Sequence, residues 1–211
     1  DLAGLSDGIS YRLGLSATPE REYDLEGSEF IEEHIGSVIY QFGIEDAIRR
    51  GILCEFNYYP IEYESSDEDK KKIQSLYKSQ AAKKKAGNPM SKTKFWTALA
   101  KVHKLSVAKL PYFEQFIVDN LEILDKCIVF VEEMWYGDEI IQIIHKYIHN
   151  FHTYYSQDDK QNLINFAKNE ISCLITCDKL SQGIDIQSLQ TVILFSSDKA
   201  KLKTIQRIGR C

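Results

Sequence analysis

The chain has no apolar run approaching the eighteen or so residues needed to cross a bilayer, and its N-terminus carries no basic-then-apolar leader. A protein with neither a membrane span nor a secretion signal is expected, and with it a cytoplasmic location. Metal-binding patterns are missing as well. The five cysteines, Cys54, Cys127, Cys173, Cys177 and Cys211, include no CxxC pair, and no histidine stands near them at ligand spacing. Cys127, Cys173 and Cys177 lie in or beside strand-like apolar runs, so they read as buried thiols of a reducing compartment, and no metal site is expected. Acidic residues are absent from Lys70 to Phe113, a stretch that holds twelve lysines. The formal net charge of −5 would alone argue against a polyanionic partner, but outside this stretch only 14 basic residues stand against 31 acidic ones. The charge is therefore strongly segregated. Finally, there is no Gly-x-x-x-x-Gly-Lys-Ser/Thr phosphate loop and no Asp-Glu-x-His quartet, which excludes a self-sufficient nucleotide hydrolase.

What is present suits one sizeable core: 211 residues, 44% hydrophobic and 27% charged. Tyr11 to Leu15 reads as a short strand ended by Ser16-Ala17-Thr18-Pro19, because proline disfavours helix at the residue before it. An acidic loop leads into a short helix before Glu33. Val38 to Arg50 then reads as strand-like alternation followed by a helix that stops at Gly51. Ile52 to Glu64 is expected to be a strand opening a new domain. A helix over Asp67 to Gln80 follows, with Lys83-Lys84-Lys85 and Gly87-Asn88-Pro89 as a break. An amphipathic helix then runs from Ser91 to Ala108, with Phe95 and Trp96 in the core.

From Pro111 onward strands alternate with helices. Helices are expected over Glu114 to Leu124, Gly137 to Asn150 and Gln157 to Asn169, and strands over Cys127 to Val131, His152 to Tyr155, Ile171 to Thr176 and Thr191 to Phe195. The Cys127 strand is apolar throughout, as strands buried on both faces are. This rhythm predicts a doubly wound parallel α/β domain, whose ligands gather at the strand C-termini.

Behind Asp198, a capping position, Leu202, Ile205 and Ile208 recur every third residue, as on the buried face of a short helix stopped by Gly209. Gln206, Arg207 and Arg210 then fall on or just past the other face. Fixed guanidinium forks suit phosphate oxygens; an amphipathic helix with solvated arginines accounts for them equally well.

Three strings, Leu15-Ser16-Ala17-Thr18-Pro19, Gln182-Gly183-Ile184-Asp185-Ile186 and Gln206-Arg207-Ile208-Gly209-Arg210, in this order, resemble motifs III, V and VI of the superfamily 2 nucleic-acid helicases and translocases. The pattern is most similar to the branch of restriction-enzyme motor subunits and excision-repair helicases. The resemblance implies that residues 1–51 are the tail of a first RecA-like lobe and a bridge, and that 52–211 form the second RecA-like lobe. The lysine-rich helical insertion, 67–110, matches no motif of the family.

The resemblance assigns Ser16, Ala17 and Thr18 to coupling between nucleotide and nucleic acid, Thr176 to a backbone phosphate of the nucleic acid, and Asp185 to the ribose of the nucleotide, with Gly183 allowing close approach. Arg210 is the arginine finger, Gln206 opens its motif, and Arg207 holds the motif in place. Taken singly, Thr176 also reads as a strand cap, Gly183 as a turn glycine and Asp185 as a capping aspartate. Lys83, Lys84 and Lys85 are candidates for nucleic-acid contact from charge alone, against a solvated lysine face on a packing element.

The resemblance further implies ATP and Mg²⁺ in a cleft completed by the rest of the first lobe, a DNA partner in preference to RNA, and an attached nuclease or restriction or repair subunit. As a fragment without a phosphate loop, the chain is expected to be inactive alone. The alternative from another class is a RecA-like scaffold that binds nucleic acid or protein without turnover.

Overall fold

A computed structural model of the chain describes residues 8–16, 25–52, 55, 57–177 and 189–195. Two compact units result: one comprises Asn57–Ser197, and the other holds the described residues before it.

In the smaller unit, helices α1 (Leu25–His34) and α2 (Ile44–Arg49) are joined by extended chain. Ala47 alone is buried among its described residues. The strands expected over Tyr11 to Leu15 and in the Val38 stretch do not form: residues 11–16 and 38–43 lie in no strand, with Tyr11 93% and Leu15 89% exposed. A strand is held by the backbone of its neighbour, and no described residue offers one here. Arg12 instead donates to the carbonyl of His34 at 2.6 Å, which ties the segment to the end of α1.

The larger unit begins with residues 57–66, which lie in no helix or strand, so the strand expected from Ile52 to Glu64 is not seen among the described residues. Pro60 interrupts this stretch and removes a ladder donor. The segment lies along helices instead: the ring of Tyr59 is 6.4 Å from that of Phe116, and the Tyr63 hydroxyl donates to the carbonyl of His103 at 3.4 Å.

Helix α3 (Asp67–Lys85) opens with a capping box, in which the Ser66 hydroxyl accepts from Asp69 N and the Asp69 carboxylate accepts from Ser66 N. It runs past the break expected at Lys83. Asp67, Glu68 and Asp69 occupy its first turn and Lys83, Lys84 and Lys85 its last, matching the helix dipole at both ends. The stop falls at Gly87, whose φ of 74° needs no strain in glycine. Helix α4 (Lys92–Lys104) returns against α3, capped by the Ser91 hydroxyl.

Helix α5 (Leu110–Asp119) starts earlier than expected because Pro111 is well tolerated in a first turn. Strand β1 (Cys127–Val131), helix α6 (Met134–Ile144), strand β2 (Phe151–Tyr154), helix α7 (Lys160–Ala167), strand β3 (Cys173–Cys177) and strand β4 (Thr191–Leu194) follow in order. The four strands form one all-parallel sheet in the order β2-β3-β1-β4, with Val131 beside Cys177 and Phe130 beside both Thr176 and Leu194.

Side chains alternate faces along a strand. Cys127, Val129, Val131, Cys173 and Ile175 point to one face, where they join Phe113 and Ile117 of α5 and Tyr136, Ile140, Ile143 and Ile144 of α6 in a single core. Ile128, Phe130 and Leu174, fully buried, point to the other face, and α7 with its buried Phe166 packs on β2 and β3. Chain direction accounts for the two layers: the path from β1 to β2 runs one way across the sheet and that from β2 to β3 runs back, and right-handed crossovers place their helices on opposite faces. The doubly wound α/β architecture read from the sequence is the one observed. Cys127 and Cys173 are buried, as expected, and Cys54 and Cys211 lie outside the described residues.

Candidate functional site

In parallel sheets the strand C-termini and the loops beyond them are where ligands bind. Here that edge is built from Val131 to Glu133 after β1, Cys177 ending β3, and Phe195 after β4. The Cys177 thiol donates to the carbonyl of Glu132 at 3.0 Å, cross-linking β3 to the residue after β1. Thr176, expected to offer its hydroxyl to a phosphate, is fully buried, and its Oγ1 donates to the carbonyl of Tyr154 at 2.8 Å. In this arrangement the hydroxyl ties β3 to β2.

The carboxylates at the edge are held by helix α4. Lys104 Nζ donates to both oxygens of Glu132 at 3.1 and 3.2 Å, and Lys101 reaches Glu133 at 2.5 Å. The bond from Lys101, with one from Trp135 Nε1 at 2.6 Å, holds the Glu133 carboxyl below its ordinary range. Among the described residues no three His, Cys, Asp or Glu side chains converge on a metal position. Glu132 and Glu133 are both engaged by lysines.

Beneath this edge lies a polar cluster that sequence reasoning missed. Asp69, 5% exposed, accepts from the Ser106 hydroxyl at 2.6 Å, and the Tyr136 hydroxyl donates to the Ser106 carbonyl at 2.7 Å. Burial pushes the Asp69 carboxyl up, but hydrogen bonds from Ser106 and Ser66 outweigh it and hold the group below its ordinary value. Lys109 Nζ donates to the carbonyls of Lys104 at 3.1 Å and Phe195 at 3.0 Å, and sits 5.4 Å from the ring centre of Tyr63. Burial lowers its pKa to about 8, against the pull of Asp69. Through this one ammonium the helical insertion grips the residue that follows β4. The one legible signal was Ser66-x-x-Asp69, a capping-box pattern placing an acid at the front of a lysine run. The contacts of Lys109 had no local signature.

The twelve lysines thus divide. Lys101, Lys104 and Lys109 serve the sheet edge, and Lys70 and Lys72 make exposed pairs with Asp67 and Glu68 on α3. Lys83, Lys84 and Lys85 project from the last turn of α3, exposed, with no carboxylate in ion-pair range among the described residues. Phe95 is core at 7% exposure, as expected, but Trp96 is 54% exposed. Ser16 is exposed, outside helix and strand. Ala17, Thr18, Gly183, Asp185, Gln206, Arg207 and Arg210 lie outside the described residues.

Residues 108–211 match the family described as helicase conserved C-terminal domain. The chain is 27% identical over 208 residues to a protein of Sulfolobus islandicus filamentous virus (isolate Iceland/Hveragerdi) named "Putative helicase 22"; the match covers 95% of this chain and 35% of that protein. It therefore spans about a third of the length of that curated relative. Among solved structures it resembles the Sulfolobus solfataricus SWI2/SNF2 ATPase core in complex with dsDNA, at 17% identity and a TM-score of 0.50, over 71% of this chain and 37% of the other. The Pyrococcus furiosus Hef helicase domain matches at 20% identity and a TM-score of 0.41, over 65% and 31% of the two chains. The SWI2/SNF2 likeness shows a shared RecA-like fold, and the family match places similarity to a helicase conserved C-terminal domain on residues 108–211.

Proposed function

From the match of residues 108–211 to a helicase conserved C-terminal domain, we propose that this chain is the second lobe of a superfamily 2 ATP-dependent DNA helicase or translocase of the restriction or repair branch, preceded by the tail of the first lobe. The observation that carries the reading is that family match, falling on a doubly wound parallel sheet that bears a lysine-rich helical hairpin. The neighbour solved with dsDNA is in keeping with a DNA track.

In this reading ATP and Mg²⁺ lie between the lobes, with the phosphate loop supplied by the first. Asp185 holds the ribose and Gly183 lets the chain pass close to it. Arg210 places its guanidinium against the transferring phosphoryl group, where charge develops in the transition state, while Gln206 and Arg207 set the motif around it. Ser16, Ala17 and Thr18 couple the nucleotide cleft to the strand being tracked. The exposed lysines hold the polyanion without reading its bases.

The test is Arg210→Ala in the longer protein. kcat for DNA-stimulated ATP hydrolysis should fall roughly a thousand-fold with little change in KM, because a finger acts on the transition state more than on bound ATP. The 211-residue chain by itself should hydrolyse no ATP. A loss confined to KM overturns the finger role, and a longer protein without DNA-stimulated turnover leaves the scaffold reading in its place.

A further inference from the structure

The outer side of α3 carries more than charge. Tyr77 is 52% exposed in mid-helix, in an open groove lined by Asp67, Lys70, Lys71, Ile73, Gln74 and Tyr77 itself. Its ring meets Phe95 of α4 in a T-shaped contact, with centres 5.2 Å apart and planes at 70°. Phe95 is buried at 7%, so Tyr77 is buttressed from behind by a fixed core residue while half of it remains in water. A loosely held tyrosine would lose rotamer entropy on binding; one propped on the core has already lost it.

Lys70 and Lys84 stand seven residues before and after Tyr77, two helical turns away on the same face, which places them roughly 10 Å along the axis in either direction. Lys70 approaches Asp67 only at 3.7 Å on the surface, a pair that contributes little and yields to a stronger anion. Gln74, one turn from Tyr77, adds an amide. Asp67 lines the groove beside Lys70, but from Lys70 through Phe113 the sequence holds no acidic residue. A rigid, half-exposed ring between flanking ammonium groups matches a ligand with a π-face carried on a polyanion. That combination is an unpaired base on a phosphate chain. An acidic peptide would satisfy the lysines and leave the ring without a flat partner, and a duplex keeps its base faces stacked on one another.

We propose that the outer face of α3 is a binding site for single-stranded nucleic acid in which Tyr77 stacks on a base while Lys70 and Lys84 contact the phosphates on either side. This rests on the reading of the chain as part of a nucleic-acid motor and adds to it the form of the strand and the residue that grips a base. Stacking tolerates any sequence, as a tracking protein requires.

The experiment compares the 211-residue chain with its Tyr77→Ala and Tyr77→Phe variants by fluorescence anisotropy, at low salt. The probes are a labelled oligo(dT) and a labelled abasic deoxyribose-phosphate chain of equal length, and melting curves record the fold of each variant. Wild type and Tyr77→Phe should prefer oligo(dT). Tyr77→Ala should lose about 5- to 100-fold on oligo(dT) and little on the abasic chain. Equal losses on both probes mean that Tyr77 merely packs the hairpin and overturn the proposal, as does a wild type indifferent to bases; in both cases the lysine track stands. Absence of binding to either probe overturns the proposal and the nucleic-acid reading of the hairpin together.

Discussion

Lys109 is a cation built into the joint between insertion and sheet, with Asp69 as a nearby carboxylate, the Tyr63 ring against it and Lys104 beside it. Its charge is disfavoured by burial, which lowers the pKa from the ordinary 10.5 to about 8. Between these two values the unfolded chain binds more protons than the folded one, so this group makes stability rise with pH. Below about 8 the ammonium is charged in both states, and the folded state bears its full desolvation cost. Lys109→Met removes the titration. The stability of wild type relative to Lys109→Met should therefore increase by about 1–2 kcal/mol from pH 7.5 to roughly 10, the nominal shift being discounted for the water the side chain still meets. Urea unfolding of both proteins across this range checks it; parallel profiles would show that Lys109 keeps an ordinary pKa when folded.

At the scale of elements, α6 decides how closely the sheet is covered. Gly137 lies buried in its first turns, and a Cβ built there would overlap the Tyr155 hydroxyl and come within 3.4 Å of Val131 Cγ2. Alanine is the better helix former by about 1 kcal/mol, so propensity alone favours Gly137→Ala. Packing reverses the sign: the substitution should cost about 1–3 kcal/mol, because Tyr155 or the helix must shift. Adding Tyr155→Phe, which deletes the obstructing oxygen, should recover part of that loss in a double-mutant cycle read by denaturant unfolding. Additive costs would place the strain elsewhere. The same glycine explains why the helix expected from Gly137 to Asn150 is found at Met134–Ile144: an apparent start signal is an interior position kept small for a tyrosine from the end of β2.

Over the whole molecule, charge segregation is the property on which the proposed function turns. Three lysines in the last turn of α3 face solvent without carboxylate partners among the described residues, on an otherwise acidic chain. If each contacts a phosphate of a single strand, it contributes roughly 0.7 to the slope of log affinity against log salt. Replacing Lys83, Lys84 and Lys85 together by Ser should flatten that slope by about 2 and weaken all sequences alike. A salt titration of oligonucleotide binding by wild type and triple variant measures this; parallel lines would mean a solvated face.

The alternation of apolar runs with helical periods was enough to determine the parallel α/β layer. β1 was legible because five consecutive apolar residues can be buried on both faces only in such a sheet, and β1 is buried throughout. The lysine-rich segment was legible as helical and cationic because propensity and charge are local. Tertiary structure decided what local rules could not. No described residue of the strand-like runs at Tyr11, Val38 and Ile52 lies in a strand, since a strand is made by its neighbour's backbone and not by its own alternation. Thr176 turned its hydroxyl to the Tyr154 carbonyl because β2 lay beside it. Three of twelve similar lysines were drawn to Glu132, Glu133 and the Phe195 carbonyl because folding of the insertion carried them to the sheet edge. Pattern reports a residue's own preference; which partner satisfies it is a contact between distant positions, and only the folded chain brings those together.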